Sequence, residues 1–195
     1  MKIRSQGFFK NCVFGKRSNC SGFPAKRLTC FVFLLLLFGF TTGIASAETL
    51  WGITPGMAGP EALRLLGKPT QEKEEEDSRS YLYRDQFGAG SLFAVSISKS
   101  DNLVSEITAW QTDRSVGTAR GIAGGDTIRS VRRVYGPPHS TEETFISGLL
   151  HTVYVYKVAG VSGYQRMYLI FSWSDSILRM MILIREGQPF LPGRF

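Results

Sequence analysis

From Glu48 to its end this 195-residue chain has no cysteine; Cys12, Cys20 and Cys30 all lie upstream. A disulfide framework is thereby excluded for those 148 residues, whose core must hold them. That length suffices for one domain or two small joined ones. Histidine is nearly absent too. His139 and His151 are the only two, and neither stands near a cysteine or a spaced carboxylate pair. A metal site needs several convergent ligands, so both read as surface or strand-end residues. No serine occupies a Gly-x-Ser-x-Gly elbow. Glycines precede a helix at Gly121-Ile122-Ala123-Gly124-Gly125, but no Lys-Ser or Lys-Thr follows them, so they read as a turn and not as a phosphate cradle. No catalytic constellation, metal set or cofactor motif is left, and the chain reads as non-enzymatic.

Acid is the other absence. Residues 1–47 carry Lys2, Arg4, Lys10, Lys16, Arg17, Lys26 and Arg27 with no Asp or Glu, which accounts for the whole formal charge of +7. From Glu48 onward 16 basic residues balance 16 acidic ones. The high pI belongs to the first segment and argues against a nucleic-acid partner. That segment has the parts of a signal peptide. A basic region ends at Arg27, an apolar run follows over residues 30–40, and Ala45-Ser46-Ala47 forms an A-x-A site before Glu48. The expectation is an exported protein, periplasmic or extracellular. The alternative is an uncleaved anchor, its basic end in the cytoplasm and its folded part outside the membrane. In either case only residues 1–47 touch a membrane. No lipobox is present.

The exported part repeats itself. Gly56 falls on Gly125, Arg64 on Arg133, Gly67 on Gly136 and Pro69 on Pro138; Tyr81-Leu82-Tyr83 matches Tyr154-Val155-Tyr156, and Ser100-Asp101 matches Ser174-Asp175. Each copy opens with a helix signal. Pro60 starts the first and Gly67-Lys68-Pro69 ends it; Asp126 or Thr127 caps the second and Gly136-Pro137-Pro138 ends it. Three strand signals follow each helix, near 80–84, 91–98 and 103–110, then near 151–157, 166–173 and 177–184. Ser100-Asp101-Asn102 and Ser174-Asp175-Ser176 read as hairpin turns. The acidic run Glu72-Lys73-Glu74-Glu75-Glu76-Asp77 reads as a solvated loop. The predicted fold is α+β: two tandem repeats, 52–110 and 121–184, each a short helix followed by a three-stranded antiparallel meander. Residues 111–120 join them, and 185–195 read as an irregular tail.

A glycine-led turn, a helix ending in Leu66-Gly67-Lys68-Pro69 and tyrosine-bearing strands resemble the SmpA/OmlA family, the BamE-type envelope lipoproteins of the barrel-assembly machinery. Tandem copies look like the secreted β-lactamase inhibitor protein architecture. The resemblance covers roughly 52–110 and 121–184. It implies a helix-plus-sheet unit and protein binding in the cell envelope. The lipobox of the first group and the disulfides of the second are absent, and no functional residue carries over.

Two surfaces stand out as candidate sites. In the first copy one sheet face, with Phe93, Val95, Ile97, Ile107 and Ala109, is apolar and the other is mostly polar. In the second copy both faces are apolar. Opposite Met167, Leu169, Phe171, Met181 and Leu183 stand Tyr168, Ile170, Met180, Ile182 and Ile184. Such a face must be covered by the rest of the chain, by a protein partner or by self-association. The alternate tyrosines Tyr81, Tyr83, Tyr154 and Tyr156 suit either a ligand face or core packing. The expected function is an exported protein–protein interaction module, an assembly factor or an inhibitor-like binder. The alternative is a binding protein for a lipid or cell-wall fragment.

Overall fold

A computed structural model describes residues 46–161 and 163–188. The expected targeting segment, apart from its last two residues, and most of the expected tail lie outside them. Helix α1 (Gly59–Leu66) precedes strands β1 (Gln71–Glu74), β2 (Ser78–Arg84), β3 (Leu92–Ser98) and β4 (Val104–Trp110). Helix α2 (Ile128–Tyr135) precedes β5 (Ser140–Ile146), β6 (Leu149–Gly160), β7 (Gly163–Ser172) and β8 (Leu178–Arg185). All eight strands form one antiparallel sheet in the order β1-β2-β3-β4-β8-β7-β6-β5.

This corrects the expected fold class. The described chain is mainly β, with one continuous sheet and two eight-residue helices, and not two repeats of a helix and a three-stranded meander. Two physical reasons account for the difference. First, each half has an extra polar strand at an outer edge. Part of the acidic run is β1, paired from Gln71↔Leu82 to Glu74↔Arg79. β5 pairs from Ser140↔Val155 to Ile146↔Leu149. Every residue of β1 is exposed, so no alternation of polar and apolar residues marks it. Second, β4 and β8 pair with each other, from Glu106↔Ile184 to Trp110↔Met180. Separate meanders would leave both of these strand edges open, which is a hazard in water.

The helices use similar stops. Gly67 and Gly136 follow them at φ 77° and 78°, a region that disfavours side chains, and donate their N–H to Leu63 and Arg132 carbonyls. Thr127 caps α2 by accepting the Ser130 N–H. Both helices pack through Ala62, Leu66 and Val131 on one sheet face, which holds the main core. Its strand residues include Phe93, Val95, Ile107, Met167, Leu169, Met181 and Leu183. Leu50, Ile53, Val116 and Ile122 close it from the loops. Each large side chain buried there contributes about 1.5–3 kcal/mol. The β3–β4 and β7–β8 turns are also alike. Asp101 Oδ1 accepts the Leu103 N–H, and Asp175 Oδ1 the Ile177 N–H. Asn102 and Ser176 adopt φ 57° and 55°.

Candidate interaction surface

Tyr81, Tyr83, Tyr154 and Tyr156 project from β2 and β6 into the main core, and all four are buried. They meet helices and rings there. The Tyr83 hydroxyl donates to the Gly67 carbonyl at 3.3 Å, and that of Tyr156 to the Gly136 carbonyl at 3.2 Å. Tyr154 stacks edge-on against Phe171 at 5.3 Å. Burial pushes the Tyr83 and Tyr156 hydroxyls up to about 12, and raises Tyr135 as well.

Tyr168, Ile170, Met180, Ile182 and Ile184 share the opposite face with Val153 and Val155. These five residues are only 1–6% exposed. Trp110 and Ile146 pack against the cluster, and every described member of it belongs to the sheet itself. Across the β4–β8 junction this face turns polar, with Thr108 bonded to Glu106 Oε1 and a Ser80–Ser96 hydroxyl pair.

A third surface escaped the sequence reading. The β5–β6 hairpin closes at the Ile146↔Leu149 pair, so its loop is Ser147-Gly148. Their φ values of 51° and 79° fit the tight turn whose twist matches a hairpin. The tip is open to water: Phe145 is 72% exposed and Leu149 67%. Leu149 lies cross-strand from Ile146, so it and Phe145 point to opposite faces. Trp173, 57% exposed, follows β7 and donates its backbone N–H to Leu150. His151 Nδ1 lies 2.8 Å from the Leu149 carbonyl, which ties the base of the tip. Glu142 and Glu143 stand exposed along β5. The missed signal was a Ser-Gly pair between Phe145-Ile146 and Leu149-Leu150.

Beside this hairpin a cavity of about 410 Å³ is lined by Glu142, Lys157, Tyr164, Arg166, Tyr168 and Glu186, among others. Lys157 Nζ lies 4.5 Å from the Tyr164 ring centre and 3.5 Å from Glu186 Oε1. Among the described residues no group of three or more His, Cys, Asp or Glu is arranged to hold a metal ion. None of the described helices is long and apolar enough to cross a membrane.

Glu48 is the first buried residue among those described. Ser46 is exposed, whereas Glu48 is 2% exposed. Glu48 donates its N–H to the Ala159 carbonyl and accepts from buried Gln165 Nε2 at 2.7 Å. Its Oε2 faces Arg120 Nε at 3.4 Å.

No protein-family model and no curated protein matches the chain. The resemblance to the SmpA/OmlA family therefore stands on its residues alone. Two solved structures are similar in part. A cysteine-rich secretory protein from Staphylococcus aureus is 8% identical, with a TM-score of 0.45 over 67% of this chain and 44% of that one. The chain thus spans less than half of its staphylococcal neighbour. A protein named as a candidate β-lactamase inhibitor, from Streptococcus mutans, is 12% identical, with a TM-score of 0.27 over 68% of this chain and 84% of that one. At such scores neither likeness defines a family or a role.

Proposed function

We propose that this chain is an exported, non-enzymatic protein-binding module of the cell envelope, and that it works by inserting the β5–β6 hairpin tip into an apolar cleft of its partner. The observation that carries this reading is the exposure of Phe145 and Leu149 beside a tight two-residue turn. Leaving two such side chains in water forgoes about 1.5–3 kcal/mol each. A tight turn holds them ready, so little conformational entropy is lost on docking. Apolar side chains on both faces of the tip suit a cleft better than a flat surface. Glu142 and Glu143 behind it favour a basic rim on the partner. Export is supported by the A-x-A site ending one residue before the buried Glu48. A photo-cross-linking amino acid at position 145, introduced in the producing cells, tests the reading. One discrete protein adduct is expected there and none at Glu61, an exposed helix position. Equal or absent adducts at both would contradict it.

A second reading is favoured by the cavity beside the hairpin. Lys157, Arg166 and Tyr164 line it together with Glu142 and Glu186, charges of both signs and an aromatic ring that suit a small polar cell-wall fragment or a lipid headgroup. Native mass spectrometry of protein from those cells separates the two: a bound small molecule lost on Arg166→Ala favours this second reading.

A further inference from the structure

The two halves of the sheet differ sharply at one place. The pairs Glu74↔Arg79 and Glu143↔Thr152 correspond, since Arg79 and Thr152 each stand two residues before a core tyrosine. Beyond them the first hairpin turns within residues 75–78, whereas the second runs on through 144–151. The extension carries Phe145, Leu149 and Leu150. The neighbouring strand is tied to it in the same way in both halves. Lys99 donates its backbone N–H to the Asp77 carbonyl at 2.9 Å, and Trp173 its own to the Leu150 carbonyl at 3.3 Å. The flanking serines correspond as well, Ser98 with Ser100 and Ser172 with Ser174 each sharing a hydroxyl bond at 2.9 Å. Trp173 thus stands where the first half has Lys99.

The exchange leaves a carboxylate without its cations. In the first half Glu74 lies 3.0 Å from Lys99 Nζ and 3.5 Å from a guanidinium nitrogen of Arg79. Trp173 and Thr152 take those two places in the second half. Glu143, the counterpart of Glu74, is exposed and has no ion-pair partner among the described residues. Phe145 pairs directly with Leu150, and Leu150 with Trp173 through the N–H bond, so the three form a cross-strand row. By alternation from the core residues Tyr154 and Phe171, the row lies on the helix side of the sheet, with Glu143 two residues before Phe145 on the same side. Phe145 and Trp173 are both more than half exposed. The first half folds with charged residues at this place, so the fold itself does not require an apolar row.

We propose that the row Phe145, Leu150 and Trp173, flanked by Glu143, is the face on which the partner closes, and that the partner is a protein whose apolar cleft carries a lysine or arginine at its rim. That cation stands to Glu143 as Lys99 stands to Glu74. The inference rests on the hairpin reading and narrows it: the partner grips the helix side of the tip, and Trp173 is a third anchor. Tryptophan suits that role, because it brings a large contact area with few rotamers to lose. The unpaired carboxylate guides the approach of the basic rim.

Binding to the protein joined at position 145 tests the inference. Trp173→Lys puts in the second half the residue type that the first half holds, so the melt should stay as in the wild type. Affinity should fall at least about 30-fold, as on loss of an interface anchor. Glu143→Gln should lower affinity about threefold at low salt and flatten its dependence on salt. Val161→Lys, at an exposed apolar position beyond the other end of β6, should change neither. Should Trp173→Lys fail to fold, a photo-cross-linking amino acid at position 173 replaces it and is expected to join the same protein as at 145. Wild-type affinity in Trp173→Lys, or no adduct at 173 while one forms at 145, would overturn this inference and leave the hairpin reading standing. A salt dependence unaltered by Glu143→Gln would overturn the basic rim. No adduct at 145 would overturn both the reading and the inference.

Discussion

Tyr83 donates its hydroxyl to the carbonyl of Gly67, the residue that ends α1, and so ties the second strand to the first helix at 3.3 Å. Tyr156 and Gly136 do the same in the other half at 3.2 Å. Each bond satisfies a carbonyl that its helix leaves unpaired. Removing either with Tyr83→Phe or Tyr156→Phe is expected to cost about 1 kcal/mol, read by urea unfolding at pH 7.

The same tyrosines predict an alkaline transition. Their ionisation is raised to about 12 in the fold by burial, above the ordinary value of 10. The folded state thus favours the protonated hydroxyl. This contribution to stability is fully present below pH 10 and is lost as pH rises through about 12. Urea midpoints from pH 8 upward should fall over that window, and less steeply in the double Tyr→Phe variant. Equal slopes would contradict the assignment.

Gly67 and Gly136 have φ of 77° and 78°, and a Cβ at either would meet nothing within 4 Å. The cost of Gly67→Ala or Gly136→Ala is therefore backbone strain alone, about 1–2 kcal/mol and nearly equal at the two sites. Thermal melts of the two variants provide the comparison.

Gln165 anchors the chain at Glu48. Its buried Nε2 donates to the Glu48 and Ala159 carbonyls, and its Oε1 accepts from Thr54 at 3.3 Å. Gln165→Leu removes these bonds and should cost about 1–3 kcal/mol. N-terminal sequencing of protein from the producing cells should read Glu48 first. An intact Met1 in the membrane fraction would identify the anchored form instead.

Ile182 is buried on the second face. Ile182→Asp puts an unpaired charge there and is expected to unfold the protein, visible as loss of the cooperative melt. A folded variant would mean that this face opens readily.

The helix ends and the Asp101 and Asp175 turns were legible because glycine, proline and aspartate act through local backbone geometry. The core faces of β3 and β4 were legible from alternation, and those of β7 and β8 from the internal repeat that matches them to the first copy. Edge strands β1 and β5 were not, because exposed polar residues carry no periodicity that separates strand from loop. The β4–β8 ladder was not legible either, since the choice between two sheets and one depends on pairing across some 75 residues. The tyrosines were visible as alternating pairs, but only the fold shows that Tyr83 and Tyr156 bond the residues that end the helices. Glu48 gave no sign of its burial, because its anchors Ala159 and Gln165 lie more than 100 residues away.

The hairpin account is tested most directly by the double variant Phe145→Asp and Leu149→Asp, assayed for partner binding and for stability on the same preparation. Both side chains are exposed, so the melting temperature should stay within about 2 °C of the wild type. Binding to the protein captured at position 145 should fall at least about 100-fold, since a cleft closing on the tip would trap two unpaired charges. Unchanged binding with an unchanged melt would contradict the account and move the search to the cavity lined by Lys157 and Arg166.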